Sequence, residues 1–171
     1  MLAYITGVAG SGKSTLRDHL EHTGYRAVDA DEGFCAWFDL RGDLVPTMPL
    51  ELRTPDWYAG HRWQLLEEPL AALWKESESD LGFLLGVADN AEQMGRYFAV
   101  KLYLTAAPDV ICDRLRKRDG DPYDTRFAAF PSAEAWQQAA EKRWIGQGYI
   151  ALDSSGAPID TAAEMMRMVQ S

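Results

Sequence analysis

The chain has 171 residues, 47% hydrophobic and 25% charged, with a formal net charge of −9. This length and balance predict one soluble domain with a buried core, and no apolar run is long enough to span a membrane. The acidic excess argues against a long nucleic-acid track, which needs clustered Lys and Arg, but allows nucleotides met locally by a few basic groups.

A first strand is expected over residues 2–6 (Leu2, Ala3, Tyr4, Ile5, Thr6). It leads straight into Gly7-Val8-Ala9-Gly10-Ser11-Gly12-Lys13-Ser14, the pattern G-x-x-x-x-G-K-[ST]. A helix over about 13–21 follows, with Leu16 and Leu20 on one face and Gly24 placed to end it. Strand, glycine-rich turn and helix in this order make a phosphate cradle. Backbone N–H groups and the helix N-terminus converge on one spot, and the glycines bend the chain without Cβ clashes. Lys13 reaches the β- and γ-phosphates, and the Ser14 hydroxyl is suited to Mg²⁺.

A second strand, 26–28, stops at Asp29. Residues 39–55 hold Gly42, Pro46, Pro49 and Pro55 and read mostly as loop. Thr54-Pro55 is a helix start, and Trp63, Leu66, Leu70 and Leu73 continue at helical spacing with Pro69 as a kink. Strands follow at 82–87 and 100–104, with a short helix around 91–95 between them. A helix runs from Pro108 to about Arg118, and Asp119-Gly120-Asp121-Pro122 breaks it. Ser132 caps a helix reaching about Gln147, a fifth strand covers 149–152 and a last helix 161–169. Five alternations of strand and helix imply a parallel sheet covered on both faces. Ligands of such sheets bind beyond the strands' carboxyl ends, so residues 7–14, 29–32 and 87–90 should share one rim. Strand residues from Leu2 onward leave no leader to expect. Cys35 and Cys112 lie in no metal or redox spacing and fit a reducing cytoplasm.

The phosphate loop, the Asp29-Ala30-Asp31 step and the Arg-rich segment after the fourth strand together resemble the small P-loop kinases. These are shikimate kinase, gluconate kinase and the nucleoside monophosphate kinases. The likeness in order of parts covers nearly the whole chain, and the phosphate loop is its specific element. Gly86-Val87-Ala88-Asp89-Asn90 and Arg114…Arg118…Pro122-Tyr123 look most like shikimate-kinase-like ATPases. The resemblance implies a three-layer α/β fold with a five-stranded parallel sheet. It also implies a helical acceptor flap at about 33–80 and a short lid at about 119–131. It further implies ATP with Mg²⁺, and phosphoryl transfer to a hydroxyl or phosphate of a small molecule: a sugar, a nucleoside or nucleotide, or an antibiotic. There are departures. Asp124 stands where that group tends to have Gly, and the Gly-Gly-Gly run of shikimate kinases is missing, so shikimate is not the expected acceptor. No acidic residue ends the third strand in the usual Walker-B position; Asp89 is the nearest.

From motif and resemblance, Gly7, Gly10, Ser11, Gly12, Lys13, Ser14, Thr15 and Arg114 are expected at the nucleotide, with Mg²⁺ at Ser14 and, through water, at Asp29. Lys13, Asp31 and Arg118 are the expected catalytic groups. Asp31 would orient the acceptor hydroxyl and take its proton, and Glu32 is a weaker third carboxylate. Arg114 and Arg118 share a helix face, and with Arg126 are suited to clamping phosphate oxygens. Four of the six Trp lie between Trp37 and Trp74. Trp63 and Trp74 read as flap core, whereas Trp37 and Trp57 are open between core and acceptor stacking. Arg53, His61 and Arg62 supply polar groups there. The loop 154–158 is placed beside the adenine by the resemblance alone. A monomer or homodimer without nucleic-acid or membrane partners is expected. The alternatives are a regulatory ATPase without an acceptor and, less favoured by the charge, a nucleic-acid end kinase.

Overall fold

The computed structural model describes residues 1–117 and 133–170. The expected lid with Arg118, Asp124 and Arg126, and the Ser132 cap, lie outside the described residues. In chain order the elements are β1 (Leu2–Gly7), α1 (Lys13–His22), β2 (Arg26–Asp29), β3 (Cys35–Asp39), β4 (Leu44–Val45), α2 (Pro55–Gly60) and β5 (His61–Leu65). They continue with α3 (Glu67–Glu76), β6 (Gly82–Leu85), β7 (Val100–Thr105), α4 (Pro108–Arg116), α5 (Ala133–Gly146), β8 (Ile150–Asp153) and α6 (Pro158–Gln170).

Five strands form a parallel sheet in the order β2-β6-β1-β7-β8. β1 is central and buried along its whole length, which explains its unbroken apolar character: both of its faces need cover. On one face Ala3, Ile5, Phe83, Leu102 and Leu104 pack with Leu16 and Leu20 of α1 and Met165 and Val169 of α6. On the other, Leu2, Tyr4, Leu84 and Tyr103 pack with Leu70 and Leu73 of α3, Ile111 and Leu115 of α4, and Trp144 of α5. These are the three layers the alternation predicts. Among the described residues no helix is long and apolar enough to cross a membrane.

The flap departs from expectation. It is not helical throughout, because β3 pairs antiparallel with both β4 and β5 in a second, three-stranded sheet. Thr54 does cap α2, its hydroxyl accepting the Trp57 N–H at 3.2 Å. The helix then stops at Gly60, and Trp63 lies on a strand rather than on a continuing helix. The apolar spacing at Trp63, Leu66, Leu70 and Leu73 hid this, since a register of three and four residues starting inside a strand still looks helical. Pro69 causes no kink. It is the third residue of α3, where a helix has no intrahelical acceptor for the missing N–H. Trp74 is not core either: it is 40% exposed on α3, edge-on to Tyr97. The expected short helix at 91–95 is a series of turns followed by a 3₁₀ turn at Gly95–Tyr97.

Candidate active site

β1 delivers the chain to the rim at Gly7, and the loop turns through two left-handed glycines, Gly10 (φ 81°) and Gly12 (φ 95°), before α1 begins. Any other residue would be strained at these angles. Gly12 caps α1 with no side chain in the way, so the first turn of the helix opens toward the loop. The Lys13 ammonium folds back over the loop and donates to the carbonyls of Gly7 at 2.6 Å and Val8 at 3.0 Å. Ser11 is fully buried and its N–H donates to the Val8 carbonyl at 3.1 Å, so its part is to shape the loop. Ser14 and Thr15 are exposed on the first turn of α1.

β2 ends beside this loop with Asp29 and Asp31. The Asp29 carboxylate accepts the Asp31 backbone N–H at 3.0 Å and lies 3.5 Å from the Arg17 guanidinium, which also reaches Glu32 at 3.1 Å. Asp31 Oδ1 accepts a hydrogen bond from Trp63 Nε1 at 3.0 Å. Burial first, and then the negative charges of Asp31, Asp29 and Asp89, push the nearby Cys35 thiol well above its ordinary pKa. The carboxylates of Asp29, Asp31 and Asp89 therefore all lie near Cys35.

One cleft of about 370 Å³ joins these parts. Gly10, Gly12, Lys13 and Ser14 line one wall, Asp29 and Asp31 the floor side, and Trp37, Arg53 and Trp63 the flap. Arg53 is held over the rings of Trp37 (5.2 Å) and Trp57 (5.5 Å), and its Nε donates to the Met48 carbonyl at 2.8 Å. Trp37 is 5% exposed and ringed by Trp57, Tyr58 and Trp63, so it serves as both core and wall. His61 stacks on Trp57 and Arg62 donates to flap carbonyls, which leaves both as parts of the flap's own structure.

Asp89 is bonded to the Trp63 backbone of β5. Its Oδ2 accepts the Trp63 N–H at 2.8 Å and its own N–H donates to the Trp63 carbonyl at 2.7 Å. Asn90 does the same for Leu65, accepting its N–H at 2.8 Å and donating to its carbonyl at 3.0 Å. The loop after β6 thus substitutes for a partner strand along the free edge of β5. Asn90→Ala is expected to destabilise the protein by about 1–3 kcal/mol for each Leu65 backbone group left unpaired. Denaturant unfolding checks this, together with faster hydrogen exchange at Leu65. A change within about 0.5 kcal/mol, as for an ordinary surface substitution, would contradict it.

A second hollow of about 230 Å³ opens on the other side of the loop, lined by Gly12, Thr15, Arg114, Ser154, Gly156 and Pro158. Arg114 sits beside the loop 7–14. It also braces the site, donating to the Gly10 carbonyl at 3.3 Å and the Ser154 carbonyl at 2.6 Å. The Ser154 hydroxyl ties the loop after β8 to the Ser11 carbonyl at 2.5 Å.

No protein-family model and no curated protein matches the chain. Solved structures do. A gluconokinase from Sinorhizobium meliloti 1021 matches at a TM-score of 0.51 and 16% identity, over 98% of this chain and 91% of that one. A sugar kinase from Janibacter sp. HTCC2649 gives 0.54 and 18%, over 99% and 94%. A shikimate kinase from Bacteroides thetaiotaomicron gives 0.52 and 16%, over 100% and 99%. The chain has the fold of the small-molecule P-loop kinases. The resemblance read from the residues and the likeness of the folds agree on the five-stranded parallel sheet with its flanking helices.

Trp63, expected as flap core, also lines the cleft. Its signal lay in the alternation of Arg62-Trp63-Gln64-Leu65, polar and apolar in turn, which is the period of a strand and points Trp63 and Leu65 to one side.

Proposed function

We propose that the chain is an ATP- and Mg²⁺-dependent phosphotransferase that moves the γ-phosphoryl group to a small molecule. The observation that carries this reading is the single cleft in which Lys13 and Ser14 meet Asp29, Asp31 and the flap residues Trp37, Arg53 and Trp63. Its volume is that of an ordinary small-ligand site.

In this reading the loop 7–14 holds the phosphates, and the hollow bounded by Thr15, Arg114 and Gly156 takes the base. The residues present fit a magnesium ion: the Ser14 hydroxyl is exposed at the cleft and the Asp29 carboxylate lines it. Mg²⁺ asks for one or two protein oxygens, the rest of its shell being water and phosphate, and it would supply charge neutralisation on the phosphates. Lys13 gives up its loop carbonyls for the β- and γ-phosphates and offsets the charge that spreads over the transferring group. The acceptor oxygen forms the new P–O bond as the bond from the γ-phosphorus to the bridging oxygen breaks. ADP leaves with that electron pair, and the hydroxyl proton passes to the Asp31 carboxylate. The flap, at about 33–80, covers the acceptor, with Arg53 and the indoles of Trp37 and Trp63 as its walls.

The test is a panel of sugars, nucleosides, nucleotides and antibiotics incubated with the protein, ATP and Mg²⁺, read by ADP release and by mass. One class is expected to stimulate ADP release and gain a phosphoryl group. Slow hydrolysis that no compound stimulates would replace this reading with a regulatory ATPase.

A further inference from the structure

The side chain of Trp63 spans two loops of the rim. Its backbone N–H and carbonyl are both bonded to Asp89, in the loop after β6, and its indole N–H is bonded to Asp31, in the loop after β2. Its ring is packed against Trp37 with centroids 5.0 Å apart. β3 pairs Trp37 with Trp63 directly, so the strand register holds the ring from the other side. A side chain fixed at its backbone, its ring and its polar tip has almost no freedom to turn. Asp31 stands on the loop after β2, and the donor that the indole brings to its carboxylate is fixed in place by that ring.

We propose that Trp63 is the positioning residue of the reaction: its indole N–H holds the Asp31 carboxylate at the angle from which it meets the acceptor hydroxyl. This rests on the phosphotransferase reading above. The arrangement explains why Asp89 and Asn90 together spend four hydrogen bonds on the edge of β5. These bonds set the height of Trp63 over the cleft, and through it the place of Asp31. An N–H donor on one carboxylate oxygen also fixes the plane of the group, so that the hydroxyl is met in one orientation rather than several.

The experiment has two arms. In the first, the indole ¹H–¹⁵N signal that vanishes in Trp63→Phe is identified in the native protein and then followed in Asp31→Ala and Asp31→Asn. It moves upfield and exchanges faster with solvent in Asp31→Ala. It stays near its native place in Asp31→Asn, which keeps an oxygen acceptor. A signal indifferent to Asp31→Ala overturns the pairing. In the second arm, transfer to water and to the acceptor found by the panel is measured in Trp63→Phe, Asp31→Ala and the double variant. Trp63→Phe keeps an aromatic ring beside Trp37 but loses the indole N–H, and lowers kcat about 10- to 100-fold with KM for ATP unchanged, the loss of one hydrogen bond to a charged group. In the Asp31→Ala background the same change costs nothing further. Undiminished transfer in Trp63→Phe, or an equal loss in both backgrounds, overturns the proposal. Failure of the phosphotransferase reading looks different: the native protein itself then transfers to no acceptor.

Discussion

Replacing Lys13 with Ala is expected to lower phosphoryl transfer by about 10²–10³-fold, the usual cost of losing a preorganised charge donor at a transferring group. Binding of a non-hydrolysable ATP analogue with Mg²⁺ should weaken as well. The fold should survive, because Lys13 is partly exposed and its hydrogen bonds to the loop reach only the carbonyls of Gly7 and Val8. Calorimetric titration and the rate of ADP release together check the prediction. Native affinity with native turnover would remove Lys13 from the site.

Asp31→Asn is expected to act at the other end of the reaction. It keeps the shape of the side chain and an oxygen for Trp63 but removes the base, so kcat should fall by about 10²–10⁴-fold. ATP affinity should change little, since the contacts assigned to the nucleotide lie on residues 7–15 and around Arg114. The contrast is the useful part. Lys13→Ala weakens nucleotide binding and turnover together, whereas Asp31→Asn separates them. A variant that loses ATP affinity and rate in equal measure would make Asp31 a ligand of the metal–nucleotide complex rather than the group that meets the acceptor.

The parallel core was legible because its signals are local and redundant. Leu2–Ile5, Gly82–Leu85 and Leu102–Leu104 are continuous apolar runs, as strands buried on both faces must be. The glycines of the phosphate loop state a backbone shape directly. The flap was illegible for the opposite reason. β5 is a strand because β3 lies beside it and because Asp89 and Asn90 satisfy its other edge, and those partners are 22 or more positions away in sequence. Asp89 is the acidic residue nearest the usual Walker-B position, though not in it. Nothing in the sequence shows that its oxygen is already spent on the Trp63 N–H. Arg114 is similar: its type suits a phosphate, and only the fold reveals that it also holds the Gly10 and Ser154 carbonyls.

The central place of β1 also governs how the chain is made. Leu2 pairs with Gly82 and Ala3 with Val100, so β1 finds neither neighbour until much later in synthesis. At about 5–20 residues per second, the gap from Leu2 to Gly82 takes roughly 4–16 s to synthesise. For that time an apolar strand with both edges unpaired is exposed, the kind of segment that recruits other chains. With the order β2-β6-β1-β7-β8, β1 loses its two free edges only once β6 and β7 have both been made.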